Sequence, residues 1–340
     1  MALLALLLLA TASACLALAE IVLSFFPLFE PLPRSFVGEQ ENLPHEVFAP
    51  DPATGWRMRP SLHHLRDTGE FQVTYASNAQ GFRSARDFDP AEVRGKIAVT
   101  GDSFTFGQGV ELEETWGGLV EAGLPDAVVY NLAMPGFGID QMWVSVRTQA
   151  LPLRPDLVIV AFIADDFSRS QTAYRPDMGM SKPLFQLVDG RVAERAAGDR
   201  PPAPARFIER HSRLLAGLRH ASRLVAYRFP LGEWWGLNAA ILGAIRSDCR
   251  EAGVPVLFVY LPARGARAFP TLASEMRRVG APFLDLGQPS EAPAGIHFEV
   301  DGHLNRDGHR WVSDAVLGWI RESLPELAAG RSGSRSRALR

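Results

Sequence analysis

The sequence predicts an α/β protein built on a doubly wound, mainly parallel sheet of five strands. Two observations lead to that fold class: short apolar runs recur along the chain, and helical stretches separate them. The runs are continuous and rich in Val, Ile and Leu, as in parallel strands that helices cover on both faces. The predicted strands are 96–100, 127–132, 156–163, 254–261 and 282–286, the last being the weakest. The clearest helical stretches are 138–150, 237–252, 269–279 and 307–327.

Length and composition fit one globular core with appendages. The chain has 340 residues, of which 47% are hydrophobic and 21% charged, and this balance excludes a largely disordered protein. The formal net charge is −3, to which four arginines among the last ten residues contribute +4, so the remaining chain carries −7. A mildly acidic body argues against nucleic acid as a partner. The end of the chain, 328–340, is predicted to be a disordered basic tail, with contact to anionic lipid or polymer as the lesser alternative.

The amino terminus, 1–28, is strongly apolar. Residues 2–19 are eighteen consecutive apolar or small residues, and a helix of that length spans about 27 Å, the lower limit for crossing a bilayer. Apolar sequence continues as far as Phe29, which favours an uncleaved membrane-spanning signal anchor. The alternatives are a signal peptide cleaved after Ala19 and a lipoprotein signal ending at Cys15. No Lys or Arg precedes the run, so charge does not decide its orientation.

A Pro-rich connector and a small β lead-in are predicted over 29–95. Alternating apolar and polar residues at 69–78 indicate strands. The Asn-Ala-Gln-Gly-Phe-Arg that follows, 78–83, is either a turn with a buried phenylalanine or an element in which Arg83 contacts a substrate. The segment leads directly into the first core strand.

A candidate nucleophile follows that first core strand. Residues 101–107 read Gly-Asp-Ser-Phe-Thr-Phe-Gly, so Ser103 lies on a tight turn at the carboxyl edge of the predicted sheet. Backbone N–H groups at the start of the next helix can face an incoming oxyanion there. The tripeptide also occurs in ordinary turns, because Gly tolerates positive φ and Asp and Ser bond their own backbone.

A base and its partner are available near the other end of the chain. Serine is a weak nucleophile, so it needs a histidine to take its proton and a carboxylate to orient the ring. Asp301 and His303, two residues apart, supply these groups, and with Ser103 they are the predicted catalytic residues. His297 is a rival base, whereas His309 stands where a helix begins, which favours a structural role.

Three sequence blocks, in the same order, resemble those of the SGNH, or GDSL, hydrolase superfamily: Gly-Asp-Ser at 101–103, Asn-Leu-Ala-Met-Pro-Gly at 131–136 and Asp-Gly-His at 301–303. The resemblance extends over 96–327 and implies a flavodoxin-like SGNH fold and acyl transfer without a cofactor. The Asp-x-His spacing looks more like a bacterial envelope branch that includes alginate O-acetyltransferase-type proteins. The resemblance and the length of chain after the apolar run place the predicted catalytic domain outside the cytoplasm.

The resemblance also implies roles for individual residues. Ser103 would be the nucleophile, His303 the base and Asp301 its partner, and the N–H groups of Ser103 and Gly136 would belong to an oxyanion hole. The family's third block ends in Asn-Asp, but this chain has Asp165 where the asparagine amide would donate. An ionised carboxylate only accepts hydrogen bonds, and losing one oxyanion donor typically costs about 2.7 to 4 kcal/mol.

Three outcomes are open for Asp165. It is protonated through desolvation and the charge of Asp166, or it faces elsewhere and two backbone donors suffice, or the protein is a weak or inactive relative. The second outcome is favoured, because the backbone donors do not depend on that side chain. A purely structural alternative is that both aspartates form a helix N-cap pair at a strand-to-helix turn.

An insertion over the site is predicted at about 167–235, which is longer than a crossover requires. Within it, 184–192 has the pattern of a hairpin around Asp-Gly, 201–204 that of a loop and 206–227 that of a helix. The aromatic side chains of this stretch pack in the core by default, and stacking on sugar rings is the alternative.

The sequence as a whole predicts a serine-dependent ester hydrolase that acts on acyl or acetyl esters of envelope carbohydrate or lipid through an acyl-enzyme on Ser103. One alternative is an O-acetyltransferase acting on a polysaccharide, which excludes water from the second step. The other is a catalytically weak glycan-binding or assembly factor, motivated by Asp165. No Cys or His cluster has the spacing of zinc ligands, and no cofactor or metal is predicted.

Overall fold

The lead-in, which consists of two short β-hairpins, precedes the core of the protein. The computed structural model describes residues 2–25, 43–175, 177–195, 212–215, 217–218, 233–264, 270–287 and 292–330. Helices Ala2–Phe25 and Leu43–Val47 come first. The hairpins are formed by β1 (Phe48–Asp51), β2 (Gly55–Met58), β3 (His63–Asp67) and β4 (Gln72–Ala76), in which β1 pairs with β2 and β3 with β4. The strands predicted within 69–78 are represented by β4.

Five parallel strands form the central sheet. The remaining strands are β5 (Gly95–Gly101), β6 (Ala127–Asn131), β7 (Leu157–Phe162), β8 (Tyr174–Arg175), β9 (Met180–Ser181), β10 (Leu184–Val188), β11 (Arg191–Arg195), β12 (Val256–Tyr260) and β13 (Phe283–Asp285). The sheet has the order β13-β12-β7-β5-β6. Counted along the chain this is 2-1-3-4-5, the flavodoxin-like arrangement. The predicted fold class is confirmed, and each core strand lies within two residues of its predicted bounds.

Helices cover both faces of this sheet. They are Ser103–Phe106, Trp116–Ala122, Ile139–Ser145, Ala164–Arg169, Glu233–Glu251, Pro270–Val279, Arg306–Ser323 and Pro325–Ala328, with 3-10 turns at Leu112–Glu114 and Leu151–Leu153 and a π-helical turn at Val146–Ala150. Successive side chains of each strand enter two separate apolar clusters, which explains why the strands are apolar throughout. The last predicted helix is interrupted at Leu324 because Pro325 cannot donate a backbone hydrogen bond.

Part of the predicted insertion is visible as an antiparallel hairpin. β10 and β11 pair through a two-residue turn in which Asp189 has φ 50° and Gly190 has φ 74°. Two successive positive φ values are those of a type I′ turn, which Asp-Gly favours, so the hairpin prediction over 184–192 is confirmed. The predicted loop at 201–204, most of the predicted helix at 206–227, residues 29–42 of the connector and residues 331–340 of the basic tail lie outside the described residues.

The apolar amino-terminal run forms the helix Ala2–Phe25. Among the residues that the structure describes, none of the helices combines the length and the apolar character needed to cross a membrane. The predicted membrane-spanning anchor is therefore not supported. Near the carboxyl end of this helix, Glu20 accepts hydrogen bonds from Ser212 Oγ at 3.2 Å and from the N–H of Leu214 at 3.0 Å.

Candidate active site

The structure brings the three predicted catalytic residues together at the carboxyl edge of the sheet. Ser103 begins the helix that directly follows β5, and the Asp102 side chain caps that helix by accepting a hydrogen bond from the Phe104 N–H at 3.0 Å. His303 Nε2 lies 2.7 Å from Ser103 Oγ, and His303 Nδ1 lies 2.5 Å from Asp301 Oδ1. Residues 200 positions apart thus form one continuous chain of hydrogen bonds. This is the arrangement in which a histidine can activate a serine.

A tight loop aims the carboxylate and the imidazole at the same point. The Phe298 N–H donates to the His303 carbonyl at 2.9 Å, and the Gly302 N–H donates to the Phe298 carbonyl at 3.2 Å. Gly302 has φ 81°, a conformation that is costly for residues with a Cβ atom. The glycine between Asp301 and His303 therefore allows the chain to reverse, so that both side chains reach the serine.

Asp301 is held in its ionised form by its hydrogen-bond donors. Burial by itself raises the pKa of this carboxyl, but hydrogen bonds and charge from His303 and a hydrogen bond from Gln108 outweigh burial and hold the pKa below its usual value. Gln108 Nε2 donates to Asp301 Oδ2 at 2.8 Å. Glu70 reinforces the loop from the lead-in, because its carboxylate accepts the N–H groups of Val300 at 2.9 Å and Asp301 at 2.8 Å.

Gly136 lies on the loop that follows β6, beside the turn that carries Ser103. The Met134 N–H donates to the Gly101 carbonyl at 3.2 Å, which joins the two loops. Gly136 itself has φ 76°, in the left-handed region. Within the described part of the chain, the backbone N–H groups of Ser103 and Gly136 have no hydrogen-bond acceptor. Unpaired backbone donors of this kind are the groups from which oxyanion holes are built.

One arginine connects the nucleophile turn, the Gly136 loop and the helix after β7. Arg169 Nη1 donates to Asp102 Oδ2 at 3.0 Å and to the Phe137 carbonyl at 3.0 Å, and it forms an ion pair with Asp166. The side chains of Asp102 and Asp166 are fully buried. Burial and the charge of Asp102 raise the pKa of Asp166 well above its usual value, against the opposing effect of Arg169. Asp102, Asp166 and Arg169 thus form a buried network in which both carboxylates depend on the charge of Arg169.

The two consecutive aspartates have different environments. The N-cap residue is Ile163, so neither aspartate is itself the N-cap, but Asp166 at the third helical position accepts the Ile163 N–H at Oδ2 at 2.9 Å and contributes to the cap. Asp165 is half-buried in the first turn of the same helix, and its carbonyl accepts a hydrogen bond from Ser168 Oγ at 2.8 Å. Burial, Asp285 and then Asp165 raise the pKa of the Tyr260 phenol. The Asp165 carboxylate is therefore within electrostatic reach of the end of β12.

Neither His297 nor His309 competes with His303 as the base. The Nε2 atom of His297 lies 3.0 Å from the Pro262 carbonyl, so His297 is not the base. His309 is fully buried, and its Nδ1 accepts the Trp116 N–H at 3.1 Å, while burial lowers its pKa to about 3. Its predicted structural role is confirmed. In the described residues, no group of three or more His, Cys, Asp or Glu side chains is arranged to hold a metal ion.

Arg83 is a buried structural residue, and the alternative of a substrate contact is wrong. Its guanidinium donates to the carbonyls of Phe106 at 2.9 Å, Gly107 at 2.5 Å and Val110 at 2.5 Å. It lies 4.7 Å from the centre of the Tyr75 ring. Burial lowers the pKa of Arg83 to about 10. Both Nη atoms hold the segment that follows the nucleophile helix, and only 1% of the residue is exposed, so it has no surface to offer a ligand.

Sequence reasoning missed four residues that support the site, namely Trp56, Glu70, Gln108 and Arg169. Arg169 could have been found, since a basic residue three positions after Asp166 forms an ion pair on a helix. The other three meet their partners across 79, 231 and 193 positions of sequence. No local pattern signals contacts over such separations.

No family model and no curated protein matches the chain. Among solved structures it is similar to an esterase, EstA, from Pseudoalteromonas, at 12% identity and TM-score 0.42, covering 68% of this chain and 99% of the other. A lipase/acylhydrolase from Enterococcus faecalis has 17% identity and TM-score 0.37, covering 67% and 96%. A GDSL-like lipase from Bacteroides thetaiotaomicron has 12% identity and TM-score 0.38, covering 67% and 89%. Similarities of this size carry no argument about activity.

Proposed function

We propose that the protein is a serine-dependent ester hydrolase. The observation that carries this proposal is the hydrogen-bond chain from Ser103 Oγ through His303 to the ionised Asp301, at distances of 2.7 and 2.5 Å. Two backbone N–H groups without an acceptor among the described residues belong to Ser103 and to Gly136, whose loop is joined to the nucleophile turn by the hydrogen bond from Met134 to Gly101. Nucleophile, base, orienting carboxylate and oxyanion donors are the groups that acyl transfer requires.

The proposed reaction has two steps, acylation of Ser103 and hydrolysis of the acyl-enzyme. His303 Nε2 takes the proton of Ser103 as Oγ attacks the ester carbonyl, and the N–H groups of Ser103 and Gly136 bind the resulting oxyanion. The carbonyl re-forms as the alcohol leaves with the proton from His303, and the acyl group stays on Oγ. Water then attacks this acyl-enzyme, again giving a proton to His303, and the carboxylic acid leaves as Ser103 recovers its proton.

The proposed substrates are acyl or acetyl esters of envelope carbohydrate or lipid. Two features of the sequence support this choice: the apolar run at 2–19 and the Asp-x-His spacing at Asp301 and His303. Location of the catalytic domain outside the cytoplasm rests on the family resemblance and on the length of chain after the apolar run, and it stays a prediction.

Loss of the nucleophile tests the proposal. Ser103→Ala is expected to reduce hydrolysis of a chromogenic acetyl ester by at least about a thousandfold, because His303 then has no hydroxyl to activate. A fluorophosphonate probe should label the wild type and leave Ser103→Ala unlabelled. Ser247→Ala, which changes a serine of the helix Glu233–Glu251, is the control and should behave as the wild type.

The same assay distinguishes the alternatives. Serine-dependent release of acetate into water supports the hydrolase. Transfer of the acetyl group to added polysaccharide, with little hydrolysis, would instead identify an O-acetyltransferase. A wild-type protein that neither turns over ester nor reacts with the fluorophosphonate would contradict both and leave the glycan-binding factor.

Asp165→Asn tests whether two backbone donors suffice. We expect kcat to stay within about threefold of the wild type, since the proposed oxyanion donors are main-chain N–H groups that this substitution leaves in place. Steady-state kinetics on the same ester provides the measurement. A gain of tenfold or more would mean that a side-chain amide donor had been missing at Asp165 and that the wild type is a weakened enzyme.

A further inference from the structure

A buried tryptophan of the lead-in reaches the loop that carries Gly136. Trp56 lies in β2 with 0% of its surface exposed, and its indole Nε1 donates a hydrogen bond to the Pro135 carbonyl at 2.9 Å. The indole ring meets the ring of Phe137 edge-on, with centroids 5.6 Å apart. The residues on either side of Gly136 are therefore both in contact with this one side chain.

The hydrogen bond acts on the peptide group that supplies the oxyanion donor. The Pro135 carbonyl and the Gly136 N–H belong to the same peptide, which is planar, and in the trans form its C=O and N–H point in opposite directions. Holding the carbonyl oxygen at Trp56 therefore directs the Gly136 N–H to the other side. A hydrogen bond accepted by a carbonyl also polarises the peptide and strengthens its N–H as a donor.

The following peptide is held as well. Arg175 Nη1 donates to the Gly136 carbonyl at 2.8 Å, and the Arg175 Nε atom is bound to Asp177 Oδ1 at 2.9 Å. A glycine at φ 76° has no Cβ atom to restrict rotation about its backbone bonds. The Phe137 N–H donates to the Met134 carbonyl at 3.2 Å and closes this turn from within the loop, while Trp56 contacts its central Pro135–Gly136 peptide from outside. The central peptide of such a turn can take two orientations, and the Trp56 hydrogen bond favours one of them.

We propose that Trp56 is a positioning residue for the oxyanion hole: its indole N–H orients the Pro135–Gly136 peptide so that the Gly136 N–H faces the oxyanion formed at Ser103. This inference rests on the proposed ester hydrolysis, in which Gly136 donates to the oxyanion. It gives the lead-in a part in positioning the oxyanion hole, because β2 belongs to the lead-in and not to the central sheet.

Trp56→Phe removes the indole N–H and keeps an aromatic ring against Phe137. Removing one oxyanion donor outright typically costs 10²- to 10³-fold in kcat, so a misoriented donor should cost about tenfold to a hundredfold. KM should stay within about threefold, because the lost interaction is made only with the tetrahedral oxyanion. Trp116→Phe is the matched control: Trp116 is equally buried but belongs to the cluster on the opposite face of the sheet, and its variant should keep the wild-type kcat.

The two variants together decide the inference. A fall in kcat for Trp56→Phe alone supports it, whereas an unchanged kcat, a change in KM alone or an equal loss in Trp116→Phe overturns it.

A crystal structure of Trp56→Phe provides a second readout that needs no activity. There the Pro135–Gly136 peptide should be rotated or occupy two orientations, and a peptide in the wild-type orientation would overturn the inference. If wild type and Ser103→Ala hydrolyse esters equally, the proposed function fails, while the peptide orientation still decides the part assigned to Trp56.

Discussion

Asp301→Asn is expected to lower kcat for ester hydrolysis by about a thousandfold to ten-thousandfold while leaving the fold intact. The amide has nearly the size of the carboxylate, so the change acts on hydrogen bonding and charge. Asp301 now accepts at both oxygens, from His303 Nδ1 at 2.5 Å and from Gln108 Nε2 at 2.8 Å. An amide accepts at its oxygen and must donate at its nitrogen. Either His303 Nδ1–H or Gln108 Nε2–H would therefore face the amide nitrogen of the asparagine, which is itself a donor.

Gln108 decides which way that amide turns. In its present orientation Gln108 donates at the Oδ2 position, so the asparagine oxygen is expected there and the asparagine nitrogen beside His303 Nδ1. The imidazole would then carry its proton on Nε2, which faces Ser103 Oγ at 2.7 Å. A ring protonated on Nε2 cannot take the proton of the serine. The negative charge that stabilises the imidazolium is lost at the same time.

A second substitution tests this reasoning through rescue. Adding Gln108→Glu to Asp301→Asn replaces the donor by an acceptor, so the asparagine nitrogen should turn to the new carboxylate and its oxygen to His303 Nδ1. We expect kcat to recover at least tenfold over Asp301→Asn alone. Gln108→Glu by itself should lower activity, because it places a second negative charge beside Asp301. Kinetics on all four proteins of the cycle gives the coupling, and a double variant no better than Asp301→Asn would contradict the proposed effect of Gln108.

Arg169→Met is expected to be the most destabilising single change around the site, lowering the free energy of unfolding by about 3 to 5 kcal/mol at pH 7. Arg169 bonds both Asp102 and Asp166, whose side chains are 0% exposed. Without the cation, two carboxylates remain buried close together and unneutralised. The methionine side chain has no N–H group to donate to these carboxylates in place of Arg169.

The destabilisation should depend on pH with a definite sign. Burial and Asp102 already raise the pKa of Asp166 in the folded protein, and removing Arg169, which lowers it, raises it further. A carboxyl with a raised folded-state pKa disfavours the fold as the pH rises above the unfolded-state value of about 3.9. The loss of stability should therefore be large at pH 7 and smaller at pH 5.

Urea unfolding of wild type and variant at both pH values measures this difference. Arg94→Met is the matched control, because it makes the same chemical change in an exposed ion pair with Glu92 and should alter stability little. Equal losses in the two variants, or a loss from Arg169→Met that does not shrink at pH 5, would contradict the buried-network account.

Much of the fold could be predicted because the signals are local. An apolar strand covered on both faces is continuous in Val, Ile and Leu, and the Asp-Gly turn at Asp189 supplies the positive φ values that a tight hairpin needs. The serine and the Asp-x-His pair were also readable, since a short turn holds each. The amino-terminal run shows the limit of such signals, because the apolar pattern at 2–19 predicted a membrane span that the described helix does not support.

The sequence by itself determined the five-stranded parallel sheet and the three candidate catalytic residues. Continuous apolar runs and the residue types that form turns are patterns of neighbouring residues, so they can be read without the structure. Only the tertiary structure decided how those residues are supported. Trp56 at Pro135, Glu70 at the Asp301 loop and Gln108 at Asp301 are contacts between distant parts of the chain. The first two form when the lead-in packs against the core, and the third forms when the Asp301 loop meets the segment after the nucleophile helix. A hydrogen bond depends on where two groups lie in space to within a few tenths of an ångström, and residue order alone does not contain that information.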